Sequence, residues 1–138
     1  MAIAAALGAE CGRAPEPLPS DGRTAVPLSA EQRGAVLTEM RTLLASVGGV
    51  LDATSRWDTA GIRAAALRSG TTEAADPALE KLLPAVWMQM AMQTHQGFDR
   101  LAASVGDRRT SREMVIARLA PLVSVCVSCH ATYRVTAP

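Results

Sequence analysis

The chain has 138 residues, with 13 acidic against 14 basic side chains and a formal net charge of +1. That length suits one domain with a sizeable core, and the near-balanced charge gives no electrostatic footing for nucleic acid or an anionic membrane surface. One Tyr, one Phe and two Trp amid many Ala and Leu disfavour an all-β sandwich and favour helix.

In chain order, Ala2 to Ala9 is apolar and rich in small residues, but it is short and lacks the basic start of a full secretory signal. It is far too short to span a bilayer and reads as a leader remnant. Cys11 follows and invites a lipid-anchor reading, although Glu10 stands where such a cleavage site normally has a small residue. Membrane association is expected only if Cys11 is lipidated; otherwise it is an unstructured free cysteine. From Gly12 to Pro27 the chain is dense in Pro, Gly, Ser and charge, a linker composition. Residues 1–27 are therefore assigned to a leader remnant and flexible linker, and residues 28–138 to the folded domain.

Four helical stretches follow. Ser29-Ala-Glu-Gln32 is a capping box, and beyond it Leu37, Met40, Leu44, Val47 and Leu51 step by three or four residues as one apolar stripe. Gly48 and Gly49 weaken that helix or admit a close neighbour. Asp58 caps a second helix carrying Ile62, Ala65, Ala66 and Leu67, with Gly70 as its stop. Asp76-Pro77 is a cap-and-first-turn pair for a third stretch reaching Val105, which Pro84 divides. Thr110-Ser-Arg-Glu113 is a second capping box, opening a last helix whose inward side is Met114, Leu119, Leu122, Val123 and Cys126, with Pro121 expected to kink it. Short connections imply antiparallel neighbours, hence an all-α, antiparallel four-helix bundle.

The last helix carries Cys126-Val-Ser-Cys129-His130, a C-x-x-C-H run of the kind that attaches c-type haem. On a helix, positions i, i+3 and i+4 share one face. Both sulfurs can then reach the two vinyl groups on one edge of a porphyrin, while His130 offers a neutral imidazole as proximal ligand to the iron. The expected cofactor is one covalent haem c near the end of the last helix. Other readings are a buried cysteine pair beside an incidental His, a zinc site recruiting His95, and a thioredoxin-type redox pair. Zinc usually takes a second closely spaced pair, which His95 lacks, and no βαβ pattern surrounds the cysteines. Covalent haem addition needs reduced thiols and export-side machinery, so the expected compartment is a bacterial periplasm.

An all-helical chain with its haem motif at the end of the fourth helix resembles the cytochrome c′ family, the class II c-type cytochromes. Cys126-Val-Ser-Cys129-His130-Ala-Thr-Tyr133-Arg134 matches the family's C-x-x-C-H-x-x-[YF]-R ending. Arg33-Gly-Ala-Val-Leu37-Thr-Glu-Met40 resembles its R-x-x-x-L-x-x-M stretch, Trp57-Asp58 the aromatic-Asp start of its second helix, and Pro84-Ala-Val-Trp87 a Pro-x-x-Trp opening its third. The loop before the third helix is shorter than usual, and the segment holding Met88, Met90, Met92 and His95 departs from the best-known members.

The resemblance implies that Leu37 lies over the iron, that Arg33 reaches a haem propionate, and that Arg134 sits beside the proximal imidazole, where family members capture a small gas. Without it, Leu37 reads as core, Arg33 as a solvated face, and Arg134 as a cation compensating the helix dipole. Helical spacing puts Tyr133 and Arg134 on the side of His130, and Tyr133 reads as a packing residue with a hydrogen-bonded tip. Leu37 has no lone pair, so it leaves the sixth coordination position open but hindered; NO or CO can enter without a hydrogen bond. The first expectation is thus a five-coordinate haem protein that binds NO or CO, with electron transfer to a redox partner protein as an accompanying role. The second is a six-coordinate, low-spin electron carrier with Met40 as distal ligand; Met88, Met90, Met92 and His95 are remoter candidates. No triad or paired carboxylates suggest an enzyme; Glu39, Glu73, Glu80 and Glu113 read as solvated or capping. By resemblance a homodimer through the first two helices is an option, and Ala60, Gly61, Ala64 and Ala65 permit such packing.

Overall fold

A computed structural model of the chain describes residues 21–74, 79, 81–107 and 109–138. The leader, Cys11, most of the linker, Glu80 and the Asp76-Pro77 pair lie outside the described residues. The fold is all-α, with strand β1 (Thr24–Pro27), helices α1 (Ala30–Arg56) and α2 (Thr59–Leu67), a 3-10 turn (Thr71–Glu73), helices α3 (Ala85–Ser104) and α4 (Arg112–Thr132), and strand β2 (Tyr133–Thr136).

Helix α1 starts where the capping box places it. The Gln32 N–H donates to Ser29 Oγ at 3.2 Å, and the Ser29 N–H donates back to Gln32 Oε1 at 2.9 Å, so two of the orphan donors at the helix start are satisfied. The helix ends on Trp57, which adopts a left-handed φ of 56° and whose N–H bonds the Ala53 and Thr54 carbonyls. A side chain there costs about 1–2 kcal/mol. It is offset by the contacts that hold the indole: Trp57 packs on the core, and the Arg112 guanidinium lies 5.2 Å from its ring centroid. Asp58 then caps α2 by accepting the Gly61 N–H at 2.8 Å. This tight reversal lays α2 along α1. At Gly49 a Cβ would stand 3.0 Å from the Ala65 Cβ, so glycine there serves close helix approach.

The buried stripe of α1 is not the expected one. Val36, Leu43, Ser46, Val50 and Ala53 face inward, Met40 and Val47 are half-buried, and Leu37, Leu44 and Leu51 are 43%, 71% and 45% exposed. The apolar arc of α1 is wider than one stripe, and α2 packs on the edge of it holding Leu43 and Val50, turning the helix by about one residue from the expected setting. The last helix shows a similar shift. Its N-cap is Ser111, whose Oγ accepts the Met114 N–H at 3.3 Å, while Thr110 donates its hydroxyl to the Ser104 carbonyl at 2.7 Å. Val115 replaces Met114 in the core beside Leu119 and Leu122, and Val123 is exposed. Helix α4 runs through Pro121 to Thr132 as one element.

Assigning Thr24–Pro27 to a flexible linker is corrected by the structure. β1 pairs in parallel with β2, Thr24 opposite Tyr133 through Pro27 opposite Thr136, and Val26 and Leu28 are buried. A four-residue run holding one valine and ending on a proline is too short a signal to read as a strand, and its partner lies beyond the last helix. Two apolar clusters result. The larger joins all four helices through Leu43, Val50, Ile62, Phe98 and Leu119. The smaller joins β1, α1, α3 and β2 through Val26, Val36, Trp87 and Tyr133. Met40 packs against both, as a flexible thioether can. By length and composition alone, α1 and α4 are apolar enough to cross a bilayer. Their exposed Leu37, Leu44 and Val123 border the cavity described next.

Candidate functional site

Between the two clusters, α1, α3 and α4 line a partly open cavity of about 350 Å³, within the range of small-molecule and cofactor sites. From α4, Cys126, Cys129 and His130 line it; from α1, Leu37, Met40 and Leu44; from α3, Trp87, Met88, His95 and Phe98. Helical spacing puts the three motif residues on one face of α4, and the rest of the lining is mainly apolar, with Glu39, Arg41, Thr94 and His95 among it. The thiols are free and half-buried. Burial pushes both up from the ordinary thiol value, for Cys129 with a contribution from Cys126. His130 is exposed at the cavity edge, and its carbonyl accepts a hydrogen bond from Arg23 Nη1 at 3.2 Å. Arg23 in turn pairs with Asp21 at 2.6 Å, holding that carboxyl down at about 2.

The donor set fits the haem that the motif implies: two soft thiols and an imidazole on one wall of an apolar cavity of cofactor size. Cys126 and Cys129 would carry the thioether links and His130 the iron. Leu37 and Met40 line the same cavity, as expected. Three other expected residues do not. Arg33 is exposed and off the cavity lining, whereas Arg41, two turns on, is on it. Tyr133 is buried away from the cavity against Trp87, with ring centroids 5.4 Å apart and planes at 49°, so its packing role is the one the fold supports. Arg134 is not at a helical i+4 position from His130. The helix ends at Thr132, β2 is extended, and Arg134 pairs with Ala25 in the ladder. Its Nε is buried without a hydrogen-bond partner, 3.8 Å from Asp21 Oδ2. The strand departs from the helix because β1 offers backbone partners that a further turn would forgo.

His95 is buried at 3% exposure. Its Nδ1 lies 2.9 Å from the Ser69 carbonyl oxygen and its Nε2 2.9 Å from Glu39 Oε1. The Ser69 carbonyl can only accept, so Nδ1 donates to it, and Nε2 shares the second hydrogen bond with the Glu39 carboxyl. The Glu39 hydrogen bond is the largest cause holding its pKa above the ordinary histidine value. With both nitrogens engaged by Ser69 and Glu39, His95 does not join Cys126, Cys129 and His130. Among the described residues, no group of three or more His, Cys, Asp or Glu converges on a point. Glu39, read from sequence as solvated, is thus corrected to a cavity-wall residue with a buried partner. The signal was there: Glu39 stands three residues after Val36 and four before Leu43, inside the face that packs inward. Met88, Met90 and Met92 line the cavity as flexible apolar wall. No family model, curated protein or solved structure matches the chain.

Proposed function

We propose that this protein is a periplasmic c-type haem protein of the cytochrome c′ kind, a four-helix bundle with a five-coordinate iron that binds NO or CO, transfers electrons, or does both, and is not an enzyme. One observation carries the reading: the C-x-x-C-H residues and Leu37 line the same largely apolar cavity. Haem bound there would supply iron chemistry at a largely apolar site. Cys126 and Cys129 would hold it covalently, and His130 would bind the iron. Leu37 offers no lone pair and would restrict entry to small ligands. Met40 lines the same cavity and its thioether is the first alternative distal ligand, with Met88, Met90 and Met92, which line it too, as remoter ones.

The test is the absorption spectrum of haem-loaded protein, ferric and ferrous, before and after CO, together with extraction into acidified organic solvent. Haem that stays with the polypeptide on extraction, and a high-spin ferrous spectrum converted promptly by CO, are expected. Extractable or absent haem refutes the reading. A low-spin spectrum indifferent to CO moves it to Met40-ligated electron transfer.

A further inference from the structure

Leu122 lines a second cavity as well, a cleft of about 170 Å³ between α3 and α4. From α3 it takes Gln93, Gly97 and Arg100, which share one helix face, and from α4 Arg118, Pro121 and Leu122, which share another. At Gly97 an added Cβ would run into the Leu122 side chain, so the two helices come close there. The long side chains of Arg100 and Arg118 wall the space beside that contact. None of Cys126, Cys129 and His130 lines it, so the cleft is separate from the haem motif.

Two cations share this small space, and no acid answers them. Among the described residues, Arg23, Arg56 and Arg134 each have a carboxylate within 4 Å, whereas Arg100 and Arg118 have none. Asp99, the chain neighbour of Arg100, is turned to the segment after α2, where it accepts from the Thr71 N–H at 3.1 Å and hydroxyl at 2.7 Å. A solitary exposed arginine such as Arg63 on α2 is sufficiently served by water; two guanidinium groups in one concave space also repel each other. An anion between them removes that repulsion and accepts charge-assisted hydrogen bonds from both. The guanidinium fork matches the oxygens of a phosphate or a carboxylate. Gln93 brings an amide donor to the same cleft, while the Pro121 ring and Leu122 offer apolar contact to a short carbon body. The volume is below the roughly 300–1,000 Å³ of drug-sized ligand sites, so the ligand is small. We infer that this cleft is an oxyanion site for a small phosphate or carboxylate compound, its charged head held by Arg100 and Arg118.

The experiment is an NMR titration of the purified full chain, following backbone amides and Arg side-chain Nε–H groups. The probes are inorganic phosphate and, separately, butyrate, at fixed pH and ionic strength. Two charge-assisted hydrogen bonds at an exposed site correspond to a dissociation constant of about 1 mM. Saturating shifts at Gly97, Arg100 and Arg118 with at least one probe are expected; the probe bound more tightly identifies the head group. Arg100→Gln and Arg118→Gln should each weaken binding about tenfold, and both positions are exposed, so the fold is kept. Arg63→Gln removes the same charge elsewhere and should leave the affinity unchanged. No saturation with either probe by about 10 mM, ten times the expected constant, overturns the inference. So does an equal weakening in Arg63→Gln, which would reduce the effect to net charge.

Discussion

Leu37 on α1 and Ile62 on α2 have opposite duties, and truncating each separates the site from the core. Ile62 is fully buried within the larger cluster and off the cavity lining, and Leu37 is 43% exposed on the cavity wall. A fully buried leucine contributes about 1.5–3 kcal/mol, and Leu37 retains little more than half of that burial. Leu37→Ala should therefore cost about 1 kcal/mol of stability, while Ile62→Ala, which opens an enclosed void, should cost about 2–5 kcal/mol. Gas entry should show the reverse order. The carbons lost beyond Cβ each make several contacts worth about 0.1–0.2 kcal/mol. Their removal lowers a steric barrier by about 1 kcal/mol, or roughly fivefold in rate. Stopped-flow CO binding to the reduced protein, set beside urea unfolding of the same variants, measures both. An unchanged CO rate in Leu37→Ala, or an equal acceleration in Ile62→Ala, would refute a guarding role for Leu37.

Two further expectations concern the frame around the site. At Gly97 an added Cβ would run into the Leu122 side chain, so Gly97→Ala should destabilise by about 1–3 kcal/mol. Combining it with Leu122→Ala should cost less than the sum of the two in thermal unfolding; strict additivity would show that the two helices do not press together there. The second concerns pH. His95 binds its proton more tightly in the folded chain than in the unfolded one. The stability from its pair is therefore full below the ordinary value of 6.5 and is lost as pH rises through the higher folded value. The melting temperature should fall toward alkaline pH, and Glu39→Gln should lessen that fall; identical profiles would exclude the pair as its source.

Much of the helical frame was legible because its signals are local. Ser29, Asp58 and Pro84 stand at helix starts and act there as their chemistry requires. The motif residues were legible for the same reason: one helix face brings Cys126, Cys129 and His130 together. What was not legible depends on distant parts of the chain. Leu44 and Val50 are equally apolar, and only the seating of α2 decides which is buried. Arg134 continues a helical spacing in sequence, yet a strand more than a hundred residues earlier draws it out of the helix. His95 and Glu39 each look ordinary alone; their meaning comes from meeting across α1 and α3.

The parallel pairing of Thr24–Pro27 with Tyr133–Thr136 also orders events in time. Ladders between segments so far apart carry a large loop-closure entropy and form slowly. During synthesis β1 emerges first and must wait for the segment beyond α4. Until that ribbon closes, Arg23 cannot reach the His130 carbonyl, and the last turn of α4 is held only by its own helix. The two thiols thus belong to the helix whose end is the last part of the fold to be tied down.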